Sequence, residues 1–137
     1  MGDSFKDQVK KWAEESEETL FAILKQSIDT TVKIANTPRG EKGGNMPVRT
    51  GFLRMSGSAA LNEIPVGETL GEKDKIYTTN YANDVPLILA QMKQGDVFYW
   101  GWTAVYANRQ NVYCGFLDSA VDRWQITVNE SVKKVKK

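Results

Sequence analysis

Asp96-Val-Phe-Tyr-Trp-Gly-Trp-Thr-Ala-Val-Tyr-Ala-Asn108 is the stretch whose reading decides the fold. It is too short for a buried helix and rich in strand formers. At period two, Phe98, Trp100, Trp102, Ala104 and Tyr106 share one face, while Val97, Tyr99, Gly101, Thr103 and Val105 share the other. A row of rings on one face needs a covering layer, so the segment from Val97 to Tyr106 reads as a central strand with helices packed on it. Gly101, between two tryptophans, marks a bulge or a close approach of another group.

Just upstream, Asn83 or Asp84 caps a short helix with Pro86 in its first turn, which runs through Leu87, Ile88, Leu89 and Met92 to a turn at Gly95. Before it, Ser58 to Pro65 and Lys75 to Thr79 read as two modest paired strands, separated by a glycine-bearing connection. Downstream, Arg109 to Gly115 reads as a polar connection into a last helix. Its stripe is Leu117, Val121, Trp124, Val128, Val132 and Val135, and its closing lysines complement the helix dipole.

At the other end, Ser4 with Asp7 three residues on forms a weak capping box for one long helix to Ala35. Phe5, Val9, Trp12, Leu20, Ile23, Leu24, Ile28 and Val32 keep helical spacing along it. Glu14, Glu15, Glu17 and Glu18 interrupt that stripe, and they read as a solvated face. Asn36 to Pro47 collects two prolines and three glycines, and reads as a flexible loop with no packed element of its own. After it, Thr50 caps a helical turn that points Phe52 and Leu53 inward and Arg49 and Arg54 outward. The fold class expected is α+β: a single domain, residues 1–137, with a small, mainly antiparallel sheet packed by a long N-terminal, a short middle and a C-terminal helix.

Composition excludes more than it assigns. The net charge is +1, and the chain has no histidine and a single cysteine, Cys114. Those absences remove an intramolecular disulfide, the Ser-His and Cys-His nucleophile pairs and the commonest transition-metal ligand. Gly40-Glu-Lys-Gly-Gly44 lacks the spacing of a phosphate loop. No cofactor and no metal is expected. No apolar run has the length of a signal core or a membrane span, so the expectation is cytosolic synthesis without membrane contact.

Three segments resemble one family, the head-tail connector proteins of long-tailed bacteriophages (siphophages), variously called neck, tail-completion or gene-ten-like minor tail proteins. Pro47-Val-Arg-Thr-Gly-Phe-Leu-Arg-Met-Ser56 is similar to the family's Pro-Val-Asp-Thr-Gly-x-Leu-Arg-x-Ser, with Arg49 in place of Asp. Gly95-Asp-Val-Phe-Tyr-Trp-Gly-Trp-Thr-Ala-Val-Tyr-Ala-Asn-Arg109 is similar to Gly-Asp-x-Ile-Tyr-x-Gly-Trp-Thr-Ala-x-Tyr-Ala-Arg. Gly115-Phe-Leu-Asp-Ser-Ala-Val-Asp-Arg-Trp124 is similar to Gly-Phe-Val-x-x-Ala-x-x-x-Trp.

The resemblance implies a non-enzymatic virion structural protein at the head-tail junction, assembled in the host bacterial cytoplasm. Its partners would be other copies in a homo-oligomeric ring and neighbouring connector, portal-adaptor or tail-tube proteins. DNA would pass through such a ring without specific binding. A ring subunit needs two different patches that meet head to tail. Arg49, Thr50, Gly51 and Arg54 are the candidates for one, with Glu14 and Glu18 in the complementary acidic run. Trp100, Trp102, Tyr106, Phe116 and Trp124 are the expected core. The alternative reading is a single-stranded nucleic-acid binder stacking bases on Tyr99, Trp100 and Trp102, against which stands the scarcity of nearby cations, Lys93 and Arg109. An enzyme built on Asp96, Asp118 and Asp122 ranks below both, because no base or nucleophile accompanies them.

Overall fold

The computed structural model describes residues 4–41, 44–73, 75–77 and 84–135. They form an α+β fold with eight elements: α1 (Phe5–Ala35), α2 (Phe52–Met55), β1 (Gly57–Leu61), α3 (Asp84–Gln91), β2 (Phe98–Trp102), α4 (Ala107–Cys114), α5 (Phe116–Asp122) and α6 (Trp124–Val135).

Ser4 caps α1 as its sequence position demands, its Oγ accepting from the Asp7 amide at 3.2 Å. At the far end Asn36 closes the helix, its Nδ2 donating to the Val32 carbonyl at 3.0 Å. Helices α5 and α6 pack along α1, and α3 packs on β1.

β1 and β2 pair antiparallel, with Ala59 opposite Trp100 and Gly57 opposite Trp102. A loop clamp closes the open end of this pair. Asn62, at φ 63°, donates its amide to the Val97 carbonyl and accepts from the Val97 amide through its side-chain Oδ1 at 2.9 Å. Two apolar clusters lie on either side of the aromatic row. Phe98 and Trp100 pack against Val32, Ala59, Val85, Leu89 and Met92. Trp102 turns instead into a second cluster of Met46, Phe52, Leu53, Ala104 and Phe116.

The structure departs from the sequence reading at several places. The strand from Val97 to Tyr106 ends at Trp102. The Thr103 amide makes the last in-register bond, to the Ser56 carbonyl, while its hydroxyl donates to the Glu68 carbonyl and the Val105 amide to that of Thr69, so beyond Thr103 the chain leaves the ladder. Among the described residues the sheet has two strands and β2 has no second neighbour, so it does not stand there as a central strand. Ser58 to Pro65 supplies β1, but its partner is β2, and Lys75 to Tyr77 forms no strand. Thr78, Thr79 and the Asn83 cap lie outside the described residues. The supposed polar connection after the strand is largely the helix α4, stopped by Gly115 at φ 69°.

The last helix is two helices, broken at Arg123, whose amide bonds back to the Ala120 carbonyl. Their buried line is Phe116, Ala120, Thr127 and Ser131, while the apolar Val121 is exposed. Ser27 on α1 and Ser131 on α6 are fully covered, each hydroxyl satisfied by the carbonyl four residues back at 2.7 and 2.9 Å. Small polar residues whose hydroxyls bond to their own helix let two backbones approach closely at little cost.

Finally, the loop from Asn36 to Pro47 is packed at both ends. Met46 is 0% exposed, its amide donates to Thr37 and its carbonyl accepts from Arg39, and Asn45 Nδ2 donates to Ser119 Oγ at 3.0 Å. Glycine and proline content reports the backbone's freedom before folding and does not locate a buried anchor such as Met46.

Candidate assembly surfaces

The segments 47–56, 95–109 and 115–124, the first well separated from the other two in the chain, meet in one place. Phe52 and Leu53 come from the first, Trp102, Ala104 and Tyr106 from the second, and Phe116 from the third. Phe116 stands edge-on to Trp102 with ring centroids 4.9 Å apart, and Trp102 edge-on to Trp100 at 5.8 Å. The Trp102 indole N–H donates to Asn36 Oδ1 at 3.1 Å, which ties the aromatic row to the end of α1. Gly51 takes φ 87° ahead of α2, and a Cβ there would collide with the Tyr77 carbonyl, so only glycine serves. Thr50 Oγ1 accepts from the Phe52 amide at 3.3 Å, the capping role its position predicts, although the N-cap residue itself is Gly51.

Of the expected core residues, Phe116 is fully buried, and Trp100, Trp102 and Tyr106 are partly covered. Burial, with Tyr77 alongside, pushes the Tyr106 phenol above its usual range. Trp124 is the correction. It is 38% exposed and meets the aromatic row only at the rim of a narrow cleft of about 200 Å³, with Ile28, Phe98 and Trp100 on the other walls. The break at Arg123 restarts the helix at Trp124 and leaves the ring beside the core.

Of the expected assembly residues, Arg49, Thr50 and Gly51 share one open cleft with Leu53, Tyr106 and Gln110. Arg49 is exposed on its rim. Arg54, expected to point outward, is half-buried with its Nε shielded from water, because α2 lies flat against β2. Glu14 and Glu18 are exposed on α1. The structure thus groups Arg49, Thr50 and Gly51 and leaves the acidic pair on a separate element, so the molecule presents two distinct patches.

The carboxylates considered for chemistry have local duties. Asp96 accepts from the Lys93 amide at 2.8 Å and from Asn62 Nδ2 at 3.1 Å, and these bonds, with the Lys93 charge, hold its carboxyl below the usual range. Asp118 accepts from Asn111 Nδ2 at 3.1 Å, while Asn111 Oδ1 accepts from the amides of Leu117 and Asp118 at the start of α5. Among the described residues no group of three acidic or cysteine side chains is placed to hold a metal ion, and no helix is long and apolar enough to cross a membrane.

Sequence reasoning missed Asn36, Met46, Thr103 and Asn111. Asn36 carried a signal, as an asparagine directly after an apolar helical stripe, whereas a methionine inside a glycine-rich run carried none. No family model, curated protein or solved structure matches this chain.

Proposed function

We propose that this protein is a non-enzymatic structural component of a phage virion, a neck or tail-completion subunit that works by protein-protein assembly in a ring at the head-tail junction. The observation that supports the reading is the convergence just described. The three segments that resemble the connector family build one cluster around Trp102 and Phe116, as parts of a shared architecture should. The two separate charged patches suit the head-to-tail contact a ring requires: the Arg49 cleft and the acidic back of α1 at Glu14 and Glu18. The partners are further copies of the chain and adjoining connector or tail proteins, with DNA passing unread.

Half-burial of Arg54 changes the choice of test. Arg54→Glu would force a carboxylate into a partly dry site and confuse folding with assembly. Arg49→Glu, on an exposed rim, is expected to shift stability by no more than about 0.5 kcal/mol. Phage carrying Arg49→Glu are expected to accumulate unjoined heads and tails. Normal particle yield would exclude the Arg49 patch, and absence of the protein from purified virions would end the structural reading.

A further inference from the structure

Helix α1 is far longer than anything that covers it. Leu117 and Trp124 sit beside Ile28 to Ala35, and Val132 shares a groove with Trp12 to Ile23, so α5 and α6 run back along α1 as far as Trp12 and leave its first two turns uncovered. Every residue from 5 to 12 is exposed. Yet this arm is not a polar one. Phe5 is 81% exposed and Trp12 68%, with Val9 between them. Their spacing of four and three continues through Ser16 and Thr19 to Ile23, the seam of a pairing helix. The second half of that seam is a groove of about 470 Å³ walled by Trp12, Ser16, Thr19, Leu20, Ile23 and Val132.

We propose that this arm pairs antiparallel with the same arm of a second copy, about a two-fold axis near Trp12, so that Phe5 and Val9 of each chain fill the groove of the other. The charges select this occupant. At about 100° per residue, Lys6 and Glu17 flank the seam on one side and Lys11 and Glu15 on the other. A two-fold antiparallel pair sets like flank against like flank, which brings Lys6 opposite Glu17 on one side, while Lys11, close to the axis, meets both Glu15 and Lys11 of the other copy. A parallel pair would set opposite flanks together at one level and crowd Glu15 against Glu17. Among the described residues, the ion pairs within the chain are Lys33–Asp29 and Lys75–Glu72, neither of them on the arm.

The size of the contact is adequate. Phe5, Val9, Trp12 and Leu20 offer on the order of 500 Å² of apolar side chain per copy, and a pair of such faces reaches the roughly 1,000 Å² at which specific interfaces begin. Glu14 and Glu18 lie on the opposite face of the helix and stay accessible. The pairing therefore does not rest on the connector reading and does not compete with it.

Sedimentation of the purified full chain is expected to show a dimer, and Trp12→Glu a monomer that keeps the parent's circular-dichroism spectrum and melts cooperatively. The reversal Lys6→Glu is expected to weaken the dimer at least about tenfold. Adding Glu17→Lys in the same chain should restore it. For polarity, in a Cys114→Ser background, Phe5→Cys chains should form a disulfide with Leu20→Cys chains and not with one another. A monomeric parent chain would overturn the proposal, as would a dimer indifferent to Trp12→Glu or preferential Phe5→Cys self-linkage. None of these outcomes depends on whether phage carrying Arg49→Glu assemble.

Discussion

Trp102 and Trp12 are the same residue type placed on periodic apolar faces, and they end in opposite surroundings. Around Trp102, residues from five stretches of chain converge: the end of α1, the loop at Met46, α2, β2 itself and Phe116. Around Trp12 there is one helix and the tip of α6. The difference is topological. A strand in the middle of the chain is met by whatever folds back over it, whereas a helix that outruns its neighbours keeps its apolar stripe in water until another molecule covers it. Periodicity identifies a face to be buried and is silent on whether the same chain buries it.

The sharpest way to test that contrast is to truncate one ring in each region. Phe116 is 1% exposed, and Phe116→Ala is expected to cost about 3–5 kcal/mol in denaturant unfolding. Phe5→Ala should stay within about 0.5 kcal/mol under conditions where the chain is monomeric. Similar losses for both would mean the arm is packed within the subunit, and the distinction drawn above would fail.

Polar ties inside the converging region come next. Asn36 is 0% exposed, and Asn36→Ala strands the Trp102 indole N–H without its acceptor, a loss expected to be about 1–3 kcal/mol. In a double-mutant cycle, most of that loss should vanish when Trp102→Phe removes the donor as well. Additive losses would show that Asn36 acts only by closing the end of α1.

Trp124 lies between the two extremes. With the ring more than a third exposed, Trp124→Ala is expected to cost about 1–2 kcal/mol, well short of a buried tryptophan. A loss above about 3 kcal/mol would place the ring in the core after all.

That intermediate case shows where sequence reading loses its grip. The capped start of α1, its end before Asn36, the inward Phe52 and Leu53, the aromatic strand and the α+β class were all legible, because each follows from local pattern: a cap, a period, a breaker. The break at Arg123 was not. Leu117, Val121, Trp124, Val128 and Val132 keep helical spacing across it, and nothing local says that the line packed on α1 is Ala120, Thr127 and Ser131. The end of β2 at Trp102 was hidden for a related reason: alternation continues to Tyr106, while past the last in-register bond, Thr103 to Ser56, the Val105 amide finds the carbonyl of Thr69. As for the candidate patches, arginine type and position pointed to Arg49 and Arg54 alike. Only the seating of α2 on β2 separates an accessible guanidinium from a half-buried one.

The smallest expected effect belongs to the clamp at the open end of the β1–β2 pair, where the polar contacts are exposed. Asp96 accepts from the Lys93 amide and from Asn62, and Asn62 in turn holds Val97. These bonds favour the charged carboxylate, so its folded pKa lies below the unfolded one. A depressed carboxylate contributes stability that is fully present above the unfolded value and is lost as pH falls through the folded one. Acidification should therefore loosen this turn while leaving the Trp102–Phe116 contact unchanged. In an NMR titration, the Lys93 amide and the Asn62 side-chain resonances are expected to move together, with a midpoint below that of an ordinary aspartate. Asp96→Asn should abolish that transition and leave the Trp102 indole resonance in place. A midpoint at the ordinary value would mean the bonds do not discriminate between the charged and neutral carboxyl, and simultaneous loss of the Trp102 signal would mean that the clamp and the core unfold as one unit.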